Sequence, residues 1–395
     1  MANLPQKILI IDSDAGIASP ISSPLEKMKV ETFLASDLQT AMYRYNKQFF
    51  RVVIIEVNFQ ELDALALIQK FREHEVVEKR SAGFILLANT PPDKEQMALI
   101  KEMGDLLMMN KPLKMGPLVT QISKANQIHS KLELARKIKI EIYEKLEAGG
   151  DLAEIISSVN DYKIPLGRDY FPLIIDLYQR SGNFEQALDI LNQIPEGTME
   201  PLTKLNLEGS VHLKLGNFSE AKKALELADK QAPRNMDRIQ EMVHLYLKAN
   251  DCDKAVLKQK QLMEMSPENP DLKFEMFQQL EEAGFEQEAA AFCQETSAPQ
   301  EVVKFFNNKG VVLVKTNSIK EALLEYRRAL TYYPKNKNNY LIHYNIALAY
   351  MRARQIKLFP KAMKHLDLCL KINPEYQKGH ELKGRLQSMI EKHAS

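Results

Sequence analysis

The chain has 395 residues, 45% of them apolar and 27% charged, with 53 basic against 52 acidic side chains and a formal net charge of +1. That length exceeds a typical single domain of ~100–200 residues and implies at least two cores, while the balanced charge, 15 basic against 15 acidic over residues 1–128, sets no basic domain aside for nucleic acid. No apolar run approaches the ~18 residues that span a bilayer, "MANLPQKILIIDSDAG" lacks a secretory apolar region, and Cys252, Cys293 and Cys369 are spaced for neither a metal knuckle nor a disulfide framework, so a cytoplasmic location without membrane insertion is expected.

In chain order, the runs "KILII", "RVVIIEV", "GFILLAN" and "LLMMN" alternate with helical patterns up to about residue 128. This is the texture of β-α units around a parallel sheet, so an α/β fold is expected. Within it, Arg51 to Arg72 reads as a buried strand running into an amphipathic helix, with Glu56 at the strand's carboxyl end. Pro117 to Ala148 then reads as one long helix stopped by Gly149 and Gly150, a semi-rigid connector. Its stripe of Ile128, Leu132, Ala135, Ile142 and Leu146 suits either packing on the next helices or a two-stranded seam.

Beyond about residue 129 the strands vanish, and helices of ~12–15 residues with 3.6-residue apolar spacing are joined by short Gly/Asn turns. Alanines recur 34 residues apart at Ala187, Ala221, Ala255 and Ala289, then at Ala322 after 33 and Ala362 after 40. Similar text surrounds each, as in "SGNFEQALDIL", "LGNFSEAKKAL" and "TNSIKEALLEY". Bulky Tyr178, Tyr246 and Tyr350 and small Gly209, Gly310 and Ala347 occupy matching positions on the first helices, and Pro233, Pro267, Pro334 and Pro374 close four units. This pattern resembles the tetratricopeptide repeat over residues 166–375, with a polar-faced capping helix after it. A single helical hairpin cannot bury its apolar face alone, whereas stacked hairpins share a continuous core. The expected organisation is an α/β domain over 1–128, a helical connector over 129–165, and an all-α array of about six repeats over 166–395.

The repeat resemblance implies a binding scaffold whose inner groove takes a protein or peptide partner. Seven residues before each repeat alanine stand Arg180, Lys214, Lys248, Glu282, Lys315 and, allowing for the insertion, Arg352, so five of six positions are basic. These cations form either a ladder for an acidic peptide or last-turn complements to the helix dipole, worth ~0.3–1 kcal/mol each. No nucleophile-base pair or His/Cys metal spacing is present in this half, and no cofactor or metal is expected.

The first half, with "ILIIDSDAG", "VVIIEVNFQELDALALI", "FILLANT" and "MNKP", resembles the receiver domain of bacterial two-component response regulators across residues 6–128. The resemblance implies a doubly wound, flavodoxin-like five-stranded parallel sheet with an acidic pocket outside its carboxyl edge. Receivers need an aspartate nucleophile, a carboxylate pair for Mg2+, a sensing hydroxyl and a lysine. Here the matching positions are Glu56, Asp12 with Ser13, Ala88 and Lys111, followed by Pro112. The rotating aromatic falls on Met108, and the loop after the nucleophile carries Gln60 and Glu61. Ser13 weakens the site for a hard divalent cation. Glu56, one methylene longer than aspartate, reaches toward Lys111 either as a built-in mimic of the phosphorylated state or as a relic.

A non-enzymatic signalling adaptor is therefore expected: a pseudo-receiver joined to an array that binds protein, with other two-component or motility proteins among its candidate partners. The alternatives are a phosphorylatable receiver that uses Asp12, Asp14 or Glu56 to gate the array, and a structural subunit of a polar or motility complex.

Overall fold

Five short strands rich in β-branched and aliphatic residues lie in one sheet: β1 (Lys7–Ile11), β2 (Glu31–Ala35), β3 (Val52–Glu56), β4 (Gly83–Ala88) and β5 (Leu106–Asn110). The computed structural model describes residues 4–394 apart from 15–17, 59–63, 268, 270 and 354. The sheet is all-parallel with the order β2-β1-β3-β4-β5, and Ile8 to Ile11 lie in register with Val52 to Ile55. Parallel strands need crossovers, which are supplied by α1 (Ala18–Lys27), α2 (Leu38–Lys47), α3 (Ala64–Arg72) with the single-turn α4 (Val77–Arg80), and α5 (Lys94–Met103). Leu9, Val53, Ile55 and Leu86 pack on Ala41, Tyr45, Ile68 and Leu99 on one face; Ile8, Ile54 and Leu87 pack on Leu25, Leu118 and Ile122 on the other. The order reverses between β1 and β3, so their carboxyl ends open the crevice where side chains converge.

Leu118 and Ile122 belong to α6 (Met115–Glu147), a helix of 33 residues and ~50 Å at 1.5 Å per residue. Its first turns cover the sheet so closely that a Cβ on Gly83 would meet the Ala125 carbonyl oxygen at 2.1 Å. Its later turns bury Ala135, Ile138 and Ile142 against Ile155 and Val159 of α7 (Leu152–Asp161), Leu166 of α8 (Lys163–Leu166) and Leu173 of α9 (Tyr170–Arg180). Of the connector stripe, Ala135, Ile142 and Leu146 are thus packed on the chain's own next helices, while Ile128 and Leu132 stay half-exposed.

From α9 onward, the described residues form six antiparallel helix pairs. The chain divides into two compact units, Met1–Asn269 and Pro270–Ser395. The first carries the pairs α9/α10 (Phe184–Gln193), α11 (Pro201–Leu215)/α12 (Phe218–Gln231) and α13 (Met236–Lys248)/α14 (Cys252–Met265). The second carries α15 (Leu272–Glu282)/α16 (Glu286–Thr296), α17 (Pro299–Lys315)/α18 (Ile319–Tyr332), α19 (Asn339–Arg352)/α20 (Phe359–Ile372) and a terminal helix, α21 (Gln377–Ala394).

The repeat grammar has a visible physical cause in both units. Ala187, Ala221, Ala255, Ala289, Ala322 and Ala362 sit in the first turns of the second helices and are all fully buried, where a larger side chain would part the pair. Opposite them a Cβ on Gly209 would meet the Leu225 side chain at 2.4 Å, and one on Gly310 would meet Tyr326 at 2.3 Å. The turns between paired helices use left-handed residues, among them Gly216 (φ 78°) and Asn250 (φ 56°), conformations that glycine and asparagine adopt at least cost. Pro233, Pro267, Pro334 and Pro374 each stand two residues beyond the end of a second helix, where chain continuation as helix is blocked.

Candidate functional site

At the carboxyl edge of the sheet, β3 delivers Glu56, the residue after β1 is Asp12, and the residue after β5 is Lys111, so topology alone brings three charged side chains together. Asp12 is fully buried and Glu56 is 5% exposed. Lys111 Nζ lies 2.8 Å from Asp12 Oδ2 and 2.9 Å from Glu56 Oε1, bridging the two carboxylates. Ser13 Oγ donates to Glu56 Oε2 at 2.8 Å, Asn89 Nδ2 donates to Glu56 Oε1 at 2.9 Å, and the Asp14 backbone N–H donates to Asp12 Oδ1 at 3.0 Å.

The electrostatics follow from those contacts. Burial raises the Asp12 carboxyl above its ordinary range, and the Lys111 bond offsets this only in part. Burial pushes Glu56 the same way, but hydrogen bonds from Lys111 and Ser13 outweigh it and leave that carboxyl below its usual value. For Lys111, burial works against the charge, yet the bonds to Asp12 and Glu56 prevail and hold the ammonium above its ordinary value. Ala88, at the end of β4, offers only a methyl group here, and Met108 of β5 packs half-buried against the sheet core. Gln60 and Glu61 lie outside the described residues. Sequence reasoning assembled Asp12, Ser13, Glu56, Ala88 and Lys111 but missed Asn89. The signal was faint: an amide one residue past a strand end, beside a carboxylate that lacks a second donor.

A second polar centre in the same unit was not anticipated at all. Glu102, 6% exposed at the end of α5, accepts through Oε1 from Asn206 Nδ2 (2.5 Å), Asn235 Nδ2 (2.8 Å) and Arg238 Nη1 (2.7 Å). Arg238, on α13, is 1% exposed and also donates to the Ala232 carbonyl. Around this pair, Gln69 of α3 donates to the Arg234 carbonyl at 2.9 Å and accepts from the Met236 N–H at 2.8 Å. Arg72 donates to the Met103 and Gly104 carbonyls and Arg168 to that of Glu102, satisfying the open carboxyl end of α5. Leu202, Ala228 and Ala232 join the buried cluster of Leu65, Ile68 and Leu99. The α3/α5 face of the sheet domain is therefore seated on the second and third helix pairs.

A tetratricopeptide-repeat family model matches residues 205–235. That span covers most of α11 and all of α12, the pair on which α5 rests. Among solved structures, the chain is similar to a tetratricopeptide repeat protein from Parabacteroides merdae, at 12% identity, 65% of this chain, 99% of that one and a TM-score of 0.34. It is also similar to the Cut9–Hcn1 hetero-tetramer of the APC/C, at 14% identity and a TM-score of 0.31 over 66% of this chain, and spans about half, 55%, of that chain. The TPR2AB domain of yeast Sti1 in complex with pHSP90 matches at 16% identity over 57% of this chain and 85% of its own, with a TM-score of 0.26. No curated protein matches the sequence, and no catalytic family is indicated.

The five cations predicted for the tetratricopeptide groove all fall in the last turn of a first helix. Arg180 is occupied within its own neighbourhood: its Nε donates to Asp176 Oδ2 at 2.7 Å and its guanidinium lies 4.4 Å from the centre of the Tyr143 ring. Lys214 and Lys248 are exposed in the first unit. Added to burial, their charges hold the His244 imidazole below its ordinary value. In the second unit Arg352 Nη1 donates to the Val314 carbonyl at 3.1 Å, and Lys315 and Arg352 line one groove of about 1440 Å3. Among the described residues, no group of three or more His, Cys, Asp or Glu side chains is placed to hold a metal ion, and no helix is long and apolar enough to cross a membrane.

Proposed function

We propose that this protein is a cytoplasmic, non-enzymatic signalling adaptor of the two-component type: a pseudo-receiver over residues 1–128, a helical connector over 129–165, and a tetratricopeptide scaffold over 166–395. The repeats support partner binding, since stacked helix pairs within each unit present an extended surface for a partner. The observation that carries the receiver half is the closed bridge of Lys111 to both Asp12 and Glu56.

In that arrangement the lysine that would neutralise an incoming phosphoryl group is already committed to two carboxylates. Ser13, which would complete a cation site, is a neutral ligand spent on Glu56. The donor set of Asp12, Glu56 and Ser13 around an ammonium does not suit Mg2+, which favours several oxygen ligands in near-octahedral geometry. On this reading the longer Glu56 side chain brings its own carboxylate to Lys111, where an aspartate would leave room for a phosphoryl group.

Intact-mass spectrometry after incubation with acetyl phosphate and Mg2+ tests this reading. The wild-type chain should gain no ~80 Da adduct, and an adduct in this pocket would overturn the proposal. The triple variant Glu56→Asp with Ser13→Asp and Ala88→Thr restores acceptor, cation ligand and hydroxyl together, and should become labelled if those three residues are the cause.

A further inference from the structure

The groove that holds Lys315 and Arg352 is unlike the rest of its unit in charge. Six exposed cations line it, Lys315, Lys320, Arg327, Arg352, Lys361 and Arg385, against the single carboxylate Glu321. Among the described residues none of the six has a carboxylate within ion-pair distance. Four other cations of the same unit do find carboxylates: Lys273 with Glu301 (2.7 Å), Lys309 with Glu325 (3.1 Å), Arg328 with Glu281 (2.9 Å) and Lys383 with Asp367 (2.7 Å). Six unneutralised cations around one concavity raise the local potential and favour an anionic occupant.

The floor narrows the class of that occupant. Leu323, Leu348, Met351 and Met389 line the same groove and are half-buried, so a purely hydrophilic anion would leave apolar surface wet. Nucleic acid binds single-stranded through exposed aromatic platforms. The one aromatic lining this groove, Tyr350, is 6% exposed and offers none. Aliphatic floor with a cationic rim is the complement of an acidic amphipathic helix, which lays its apolar face into a groove and its carboxylates toward the rim.

Building on the adaptor reading, we propose that the groove formed by α17 to α21 docks an acidic amphipathic segment of a partner protein. Arg352, bonded to the Val314 carbonyl, and Arg385, supplied by α21, grip the carboxylates. The terminal helix is then part of the binding surface as well as a cap.

Fluorescence anisotropy on the full chain tests this with a labelled synthetic helix of roughly four turns, leucines at i, i+3, i+4, i+7 and glutamates elsewhere. The comparison probes are the same peptide with lysines in place of glutamates and a single-stranded oligonucleotide of equal length. The acidic peptide should bind, the lysine peptide should not, and affinity should fall steeply between low and physiological salt. Arg352→Glu with Arg385→Glu should weaken binding by about tenfold or more at an unchanged melting temperature. Lys320→Glu with Lys361→Glu, on α18 and α20, repeats the measurement should the first pair fail to fold. Absent peptide binding, binding indifferent to both reversals, or tighter binding of the oligonucleotide would each overturn the inference. A phosphorylated wild-type pocket would instead overturn the adaptor reading and leave this groove untouched.

Discussion

Glu56 and Glu102 are two buried carboxylates in the same compact unit, each held by one cation and two neutral donors. For Glu56 these are Lys111, Ser13 and Asn89; for Glu102 they are Arg238, Asn206 and Asn235. The first set comes from neighbouring strand ends of one sheet, so the topology that forms the domain also forms the site. The second set comes from helices more than 100 residues downstream, and Glu102 has no reason to be buried until the repeats have stacked. A buried ion pair gains little over apolar contacts of the same shape, because desolvation offsets the Coulomb term. What Glu102 adds is register: its Oε1 draws donors from α11 and from the start of α13 to one point at the end of α5.

That contrast is sharpest under truncation. Glu102→Ala leaves Arg238 buried and uncompensated and should cost ~3–5 kcal/mol, read as a large fall in the melting temperature. Pairing Glu102→Leu with Arg238→Met should recover most of the loss, and a double variant as unstable as the single one would show that the pair stabilises outright. Glu56→Ala should cost less, ~1–3 kcal/mol in urea titration, because Lys111 keeps Asp12 as a partner. Equal losses at the two sites would erase the distinction between a locally built and a remotely built carboxylate.

Acid titration separates the two carboxylates around Lys111. Glu56 is depressed, so its contribution is present above the ordinary glutamate value of 4.5 and is lost as pH falls; Glu56→Gln should flatten the acid limb of the stability curve. Asp12 is raised, so its contribution is present below the ordinary value of 3.8 and fades as pH rises through its shifted value; Asp12→Asn should steepen the acid limb instead. Denaturant midpoints at several pH values would check the opposite signs. The smallest effect belongs to Asn89→Ala, which removes one neutral donor from Glu56 and should cost ~0.5–1.5 kcal/mol.

Much of this architecture is legible in the sequence because the relevant forces act at short range. β1, β3 and β4 announce themselves as apolar runs, since each is buried between neighbouring strands and covering helices, whereas β5, a half-exposed edge strand, shows only through its run "LLMM". β2 at the sheet edge, with the burial of a half-exposed strand, carries "ETFLA" and no such run. The repeat alanines are legible because a methyl is all that fits between paired helices. The α5 junction is not, because Glu102 looks like any polar residue at a helix end and Arg238 like any exposed arginine. The groove of the second unit was half visible: Lys315 and Arg352 follow the repeat period, whereas Arg385 comes from α21, which no repeat alanine marks.

The helix α6 belongs to both folds at once. Leu118 and Ile122 complete the sheet, Ile138 and Ile142 complete the first helix pair, and between them His129 Nδ1 contacts the Ser81 carbonyl at 3.0 Å while Arg136 reaches the Ser81 hydroxyl at 3.0 Å. The boundary at residue 128 consequently falls inside a rod without a hinge. An exchange of modules in evolution or in the laboratory has no linker to cut: whichever half is transplanted must take α6 with it, and the half left behind loses a wall of its core.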